Sequence, residues 1–297
     1  MKDYINDFML YLEQENKVLE GTRISYKRDL VKFNRYVEAQ LGGLELVALT
    51  SEQVEAYIAF MHESQAADTT ISRSIVSLKA FYEYLAREDI ISKNIAQGVI
   101  APKIERIPPK ILTKDEVIRL LEAPNKEKPK EIRDRAMLEL LYATGMKVTE
   151  LIQMQVSDVV LKQNVVCTKG IGGAKMRIIP IGNTAKKAIT YYMKNARPLL
   201  MKSGESDILF LNCSGRVMSR QGFWKLIKAY AKKAGIKSEI TPHILRNSCA
   251  SHMIENGADL RSVQEMLGHS TLTSTQIYLN PDEEHLLTTY QKTHPRM

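Results

Sequence analysis

The sequence predicts a mainly α-helical protein with one small β-sheet, arranged in two units. Three observations predict it. Four stretches with helical apolar periodicity fill the first 100 residues. A segment with three prolines, Pro102, Pro108 and Pro109, then breaks the helical pattern. Beyond it helical signals resume, and they flank a hairpin pattern around Gly170-Ile171-Gly172-Gly173.

The elements follow in order. Residues 2–14 carry a helical stripe of Tyr4, Ile5, Phe8 and Leu12. Residues 22–40 carry a second stripe of Tyr26, Leu30, Phe33 and Tyr36. Thr50 or Ser51 caps a third helix, with Glu52 in its first turn. Residues 69–87 give a fourth through Ile71, Ile75, Leu78, Phe81 and Tyr84, and these aromatics read as core. Residues 1–100 therefore form one helical unit, 101–112 an extended linker and 113–297 a second, α+β unit. Thr113 opens the second unit by capping a helix. Residues 164–169 and 175–181 are the two strands of the hairpin. Thr241 as N-cap and Pro242 as first helical residue predict a helix over 242–255, closed by Gly257. Asp259 caps a shorter helix ending at Gly268, which presents His269 just past its end.

Composition narrows the function classes. The chain has 42 Lys+Arg against 34 Asp+Glu, a net charge of +8, which favours a polyanionic partner. The excess is confined to one part. Residues 1–102 hold 11 Lys+Arg against 15 Asp+Glu, and the remainder holds 31 against 19. The three cysteines, Cys167, Cys213 and Cys249, have no C-x-x-C spacing. They suggest neither a disulfide framework nor a zinc site, and a reducing cytoplasm fits. The first residues lack an apolar signal core, and no apolar run is long enough to span a bilayer, so no membrane partner is expected. The acidic run Pro281-Asp282-Glu283-Glu284-His285 reads as helix-start chemistry and not as metal ligands.

The chemistry-bearing residues lie near the C-terminal end. His243 and Arg246 are three apart in T-P-H-I-L-R-N-S, so they share a helix face. Leu267-Gly268-His269-Ser270 follows, and Tyr278 stands nine positions after His269. Each alone is an ordinary surface, capping or core residue. Together, two imidazoles and a guanidinium suit an anion, and a tyrosine hydroxyl beside them suits attack on a phosphodiester. This ordered set resembles the tyrosine recombinase (phage integrase) family, whose box reads H-x-L-R, then L-G-H, then Tyr.

The resemblance extends along essentially the whole chain. It implies an N-terminal helical core-binding (SAM-like) domain and a C-terminal catalytic domain that clamp duplex DNA. Tyr278 is then the nucleophile, forming a 3′-phosphotyrosyl link and freeing a 5′-hydroxyl. His243 acts as base or proton carrier, and Arg246 and His269 stabilise the phosphorane charge. The hairpin lysine of the family matches Lys169, the general acid. The segment A-T-G-M-K-V-T-E resembles the family's T-G-x-R-x-x-E box, with Lys147 at the arginine position and Glu150 as the carboxylate behind it. Lysine keeps the charge and loses the two-pronged fork. A second, milder departure is Asn247, where the family most often has His. In the fourth helix Thr70, Arg73 and Lys79 are candidate DNA contacts, and in the linker Lys103 and Arg106 suit a phosphate backbone.

The implied function is site-specific recombination of duplex DNA with an inverted-repeat site, without metal or other cofactor. The implied assembly is a tetramer on two sites, with or without a partner recombinase, in the cytoplasm. Leu286, Leu287 and Tyr290 would form the apolar face of a terminal helix that docks on a neighbouring subunit. The size is similar to that of bacterial chromosome-dimer resolvases, without the arm-binding domain of larger integrases. Two other readings stay open. One is a DNA-binding and synapsis protein with catalysis impaired at Lys147; the other is a type IB topoisomerase-like nicking enzyme.

Overall fold

A computed structural model gives the architecture. It describes residues 3–15, 18–104, 109–125, 127–169, 176–202, 204–241, 243–269 and 273–276. Tyr278, Arg106, the hairpin tip 170–175 and the terminal segment with Leu286, Leu287 and Tyr290 lie outside the described residues. The chain divides into two compact units, residues 1–106 and 107–297.

The first unit holds α1 (Tyr4–Gln14), α2 (Glu20–Gln40), α3 (Ser51–Glu63) and α4 (Asp68–Arg87). Asp3 caps α1, and Thr50 with Gln53 closes a capping box on α3. The predicted stripes turn inward. Phe8, Leu30, Phe33, Ile71, Leu78 and Phe81 are fully buried, and Phe8 meets Phe81 edge-on at 5.6 Å. Asp29, only 2% exposed, is held by a fork from Arg73, with Nε and Nη2 each 2.8 Å from its carboxylate.

The second unit begins with α5 (Lys114–Glu122), whose capping box joins Thr113 to Glu116. Its centre is α6 (Pro129–Thr144), in which Ala136, Met137, Leu138, Leu140 and Leu141 are completely buried. Gly145 ends α6 in the left-handed conformation, φ +56°. The chain then turns through Met146 into α7 (Val148–Gln153). Three antiparallel strands follow in the order β1 (Val159–Val160), β2 (Val165–Thr168) and β3 (Arg177–Pro180). The predicted hairpin is β2–β3, with Val166 opposite Ile179 and Thr168 opposite Arg177. The short β1 was not read from the sequence.

Helices α8 (Asn183–Asn195), α9 (Arg197–Leu200) and α10 (Arg220–Lys233) cover the core. Then come α11 (Ile244–Glu255), α12 (Leu260–Leu267) and the turn α13 (Thr273–Gln276). Asp259 caps α12 through Arg261 N and Ser262 N, and Gly268 ends it at φ +69°, as the sequence predicts. One boundary is corrected. Helix α11 starts at Ile244, with His243 and not Thr241 at the N-cap. Ile244 N donates to the Thr241 carbonyl at 3.1 Å, so Thr241 meets the start of α11 through its main chain. No helix among the described residues is long and apolar enough to cross a membrane.

Candidate active site

The site grows from three helix ends. The C-terminus of α6 gives the Gly145–Lys147 corner, the N-terminus of α11 gives His243 and Arg246, and the C-terminus of α12 gives His269. Close packing joins the first and third. A Cβ on Gly145 would stand 2.6 Å from Leu267 Cδ2, so glycine lets these ends approach without moving that side chain.

Arg246 ties them together. Its side chain is buried; Nη1 donates to Gly145 O at 2.6 Å and Nη2 to Leu267 O at 2.8 Å. Both acceptors are helix-terminal carbonyls without intrahelical donors. Lys147 lies two residues after the first carbonyl and His269 two residues after the second. One guanidinium thus brings Lys147, Arg246 and His269 to one place.

The histidines are electrically conditioned. Burial pulls the His269 imidazole down to about 4, helped by the Arg246, Lys147 and Arg177 cations. Burial also lowers His243, and Arg246, Arg220 and Lys147 push it further. Both rings are therefore neutral near pH 7 without DNA. His269 Nδ1 meets Thr275 Oγ1 at 2.9 Å, which sets the ring and directs Nε2 to the other side. Gln264 Nε2 donates to His269 O at 3.1 Å and fixes the turn.

Glu150 organises the Lys147 corner. Its Oε2 accepts from Lys147 N at 2.7 Å, and Arg177 forks onto both of its oxygens at 2.9 Å each. Lys169 stands at the end of β2 and is exposed. Its ammonium bonds Gln155 Oε1 and lies 3.7 Å from Asp158 Oδ1. Lys147, Glu150, His243, Arg246 and His269 thus converge, and the partners of Lys169 are instead on the turn before β1. Thr70 and Lys79 are half-buried on α4, Lys103 is exposed, and Arg73 is joined to Asp29.

Two features were missed in the sequence. Arg177 was read only as a strand residue, although it sits on the same face as buried Ile179. A charged side chain on the inward register of an alternating strand was the available signal. The second is α10. Its exposed residues include Arg220, Gln221, Trp224, Lys225, Lys228 and Lys232, and Lys228 Nζ lies 4.1 Å from the centre of the Trp224 ring. Since Arg220 acts on His243, this basic face adjoins the site. Among the described residues no cluster of His, Cys, Asp or Glu has the makings of a metal site.

Comparison with known proteins places the chain. Residues 110–285 match the model described as "Phage integrase family". Residues 5–89 match "Phage integrase, N-terminal SAM-like domain". The chain belongs to the phage integrase family of tyrosine recombinases. Within this family it is of the XerC/XerD type. It is 42% identical to tyrosine recombinase XerD of Oceanobacillus iheyensis, over 98% of both chains. It is 39% identical to XerD of Staphylococcus haemolyticus over 100% of both. Among solved folds it is similar to the XerH site-specific recombinase bound to difH substrate, with a TM-score of 0.74. That likeness covers 96% of this chain and 94% of the other at 20% identity.

Proposed function

We propose that this chain is a site-specific recombinase that cuts and rejoins duplex DNA through a 3′-phosphotyrosine intermediate. The observation that carries the reading is the Arg246 bridge between Gly145 O and Leu267 O, which gathers Lys147 and His269 around one buried cation. Such a cluster suits a phosphate whose charge grows in the transition state.

The Tyr278 hydroxyl oxygen bonds to the scissile phosphorus, the bond from phosphorus to the 5′ oxygen breaks, and the tyrosine remains on the 3′ phosphate. Neutral His243 accepts the phenolic proton, directly or by relay, and Lys169 protonates the leaving 5′ oxygen. Arg246, Lys147 and His269 stabilise the phosphorane oxygens. Attack by a 5′-hydroxyl reverses the step and rejoins the strand, and because the phosphotyrosine keeps the energy of the broken bond, rejoining needs no ATP.

Residues 1–100 act as the core-binding domain, with Thr70, Arg73 and Lys79 toward DNA. Residues 101–112, with Lys103 and Arg106, act as the linker, and 113–297 as the catalytic domain. The working unit is a tetramer on two inverted-repeat sites in the cytoplasm, with or without a partner recombinase. Its terminal segment docks on a neighbouring subunit. The solved XerH complex with its DNA supports the DNA assignment. Lys147 favours a second reading, an enzyme of the same kind slowed by a one-pronged phosphate contact.

The test is a nicked suicide duplex carrying the recombination site. The protein is expected to form a covalent adduct that resists denaturation. Tyr278→Phe is expected to bind the same DNA and form none. An undiminished adduct from that variant rejects Tyr278 as nucleophile.

A further inference from the structure

Arg177 reaches three segments of the site with one side chain. Its Nη1 and Nη2 fork onto Glu150, and its Nε donates to Met266 O at 2.8 Å. Its plane lies against Gly268, where a Cβ would stand 2.9 Å from Nη1 and 3.0 Å from Cζ. In the strand register Arg177 is opposite Thr168, the residue before Lys169. The side chain is 10% exposed and that of Glu150 is 1%.

Each contact fixes a different functional residue. Glu150 holds the main chain of Lys147. Met266 and Gly268 form the turn that presents His269. The β2–β3 pairing carries Lys169. Only a planar fork with a third donor at its base makes these contacts together; an ammonium has no such shape. A buried ion pair adds little net stability over an apolar pair of the same size, and here the fork joins Glu150 to the Met266 carbonyl.

Resting on the reading of the chain as a tyrosine recombinase, we propose that Arg177 is a positioning residue for strand cleavage. It does not touch the phosphate. It sets the distances among the Lys147 corner, the His269 turn and the Lys169 strand.

The test compares Arg177→Lys and Arg177→Met with the unchanged full-length chain. Arg177→Lys keeps the cation opposite Glu150 and is expected to fold. Single-turnover cleavage of the suicide duplex at saturating protein is expected to fall about tenfold for Lys and about a hundredfold for Met, since misplacement near 1 Å costs that much. Affinity for the same duplex is expected to stay within about threefold, because phosphate attraction is shared among many cations. The His269 ring, followed by NMR titration, is expected to titrate at higher pH in Arg177→Met, which a purely structural residue elsewhere would not cause.

Wild-type cleavage rates in folded variants would overturn the proposal. Loss of folding in both variants would also overturn it, because Arg177 would then serve stability alone. If the unchanged chain forms no covalent adduct, the recombinase reading fails instead, and the two failures are distinct.

Discussion

Arg177 and Arg246 grip neighbouring carbonyls: Met266 O and Leu267 O each accept a guanidinium N–H at 2.8 Å. These are last-turn carbonyls of α12, which has no basic residue of its own in that turn. The cations come from β3 and α11 and face the negative end of the helix dipole. The same pair therefore satisfies a helix terminus and holds the turn that presents His269. Structural and chemical duties share one set of atoms, which makes the following outcomes measurable.

Gly268→Ala is expected to destabilise the catalytic unit by more than the left-handed backbone alone requires. That backbone cost is about 1–2 kcal/mol for a residue with a Cβ. The added methyl would also meet Arg177 Nη1 at 2.9 Å. Gly257→Ala provides the control, because Gly257 has φ +90° and nothing within 4 Å of its Cβ position. Urea unfolding followed through Trp224, the single tryptophan, compares the two. Equal losses would show that the contact with Arg177 is not felt.

How far the site was legible in the sequence follows from these same atoms. Local signals sufficed for Asp259 and Gly268, because a cap and a left-handed end are set by adjacent residues. The apolar stripes of α1–α4 were legible for the same reason. Arg177 was not, because its partner Glu150 lies 27 residues earlier. Nor was the true start of α11, where Thr241 accepts through its carbonyl instead of capping through its hydroxyl. The residue types at the site were thus readable, while the fork that spaces them depended on tertiary contacts.

Stability is expected to decline as pH falls below about 6.5. Burial holds His243, His252 and His269 below the ordinary histidine value, the last down to about 4. A depressed histidine leaves the unfolded chain binding more protons than the folded one between the two values. Unfolding free energy is therefore independent of these groups above about pH 7 and drops between 6.5 and 4. Urea midpoints at pH 7.5, 6.5 and 5.5 measure the slope. His269→Asn is expected to flatten it, and an unchanged slope would show that His269 titrates normally.

Arg73 separates a structural duty from a DNA duty. Its fork on Asp29 fills a site where that carboxylate is 2% exposed. Arg73→Ala would leave Asp29 with Ser77 Oγ at 3.1 Å. The expected loss is about 2–3 kcal/mol, below the usual cost of an uncompensated buried charge because Arg73 itself stays partly in water. Circular dichroism melts read that loss, and duplex affinity is measured on the same protein below its melting range. Unchanged stability with weakened binding would assign Arg73 chiefly to DNA.

Lys147 gives the most direct outcome at the site. Its main chain is already fixed, with the N–H on Glu150 Oε2 at 2.7 Å and Gly145 two residues before it. What lysine lacks is the second prong toward phosphate. Lys147→Arg is therefore expected to speed single-turnover cleavage of the suicide duplex. A charge-assisted hydrogen bond contributes about 1.5–3 kcal/mol. Each 1.36 kcal/mol is about tenfold in rate, so the expected gain is roughly ten- to a hundredfold. Duplex affinity is expected to change much less, because both side chains carry one positive charge. Equal cleavage rates would mean that the corner made by Gly145, Glu150 and Arg177 already holds the lysine where one prong is enough.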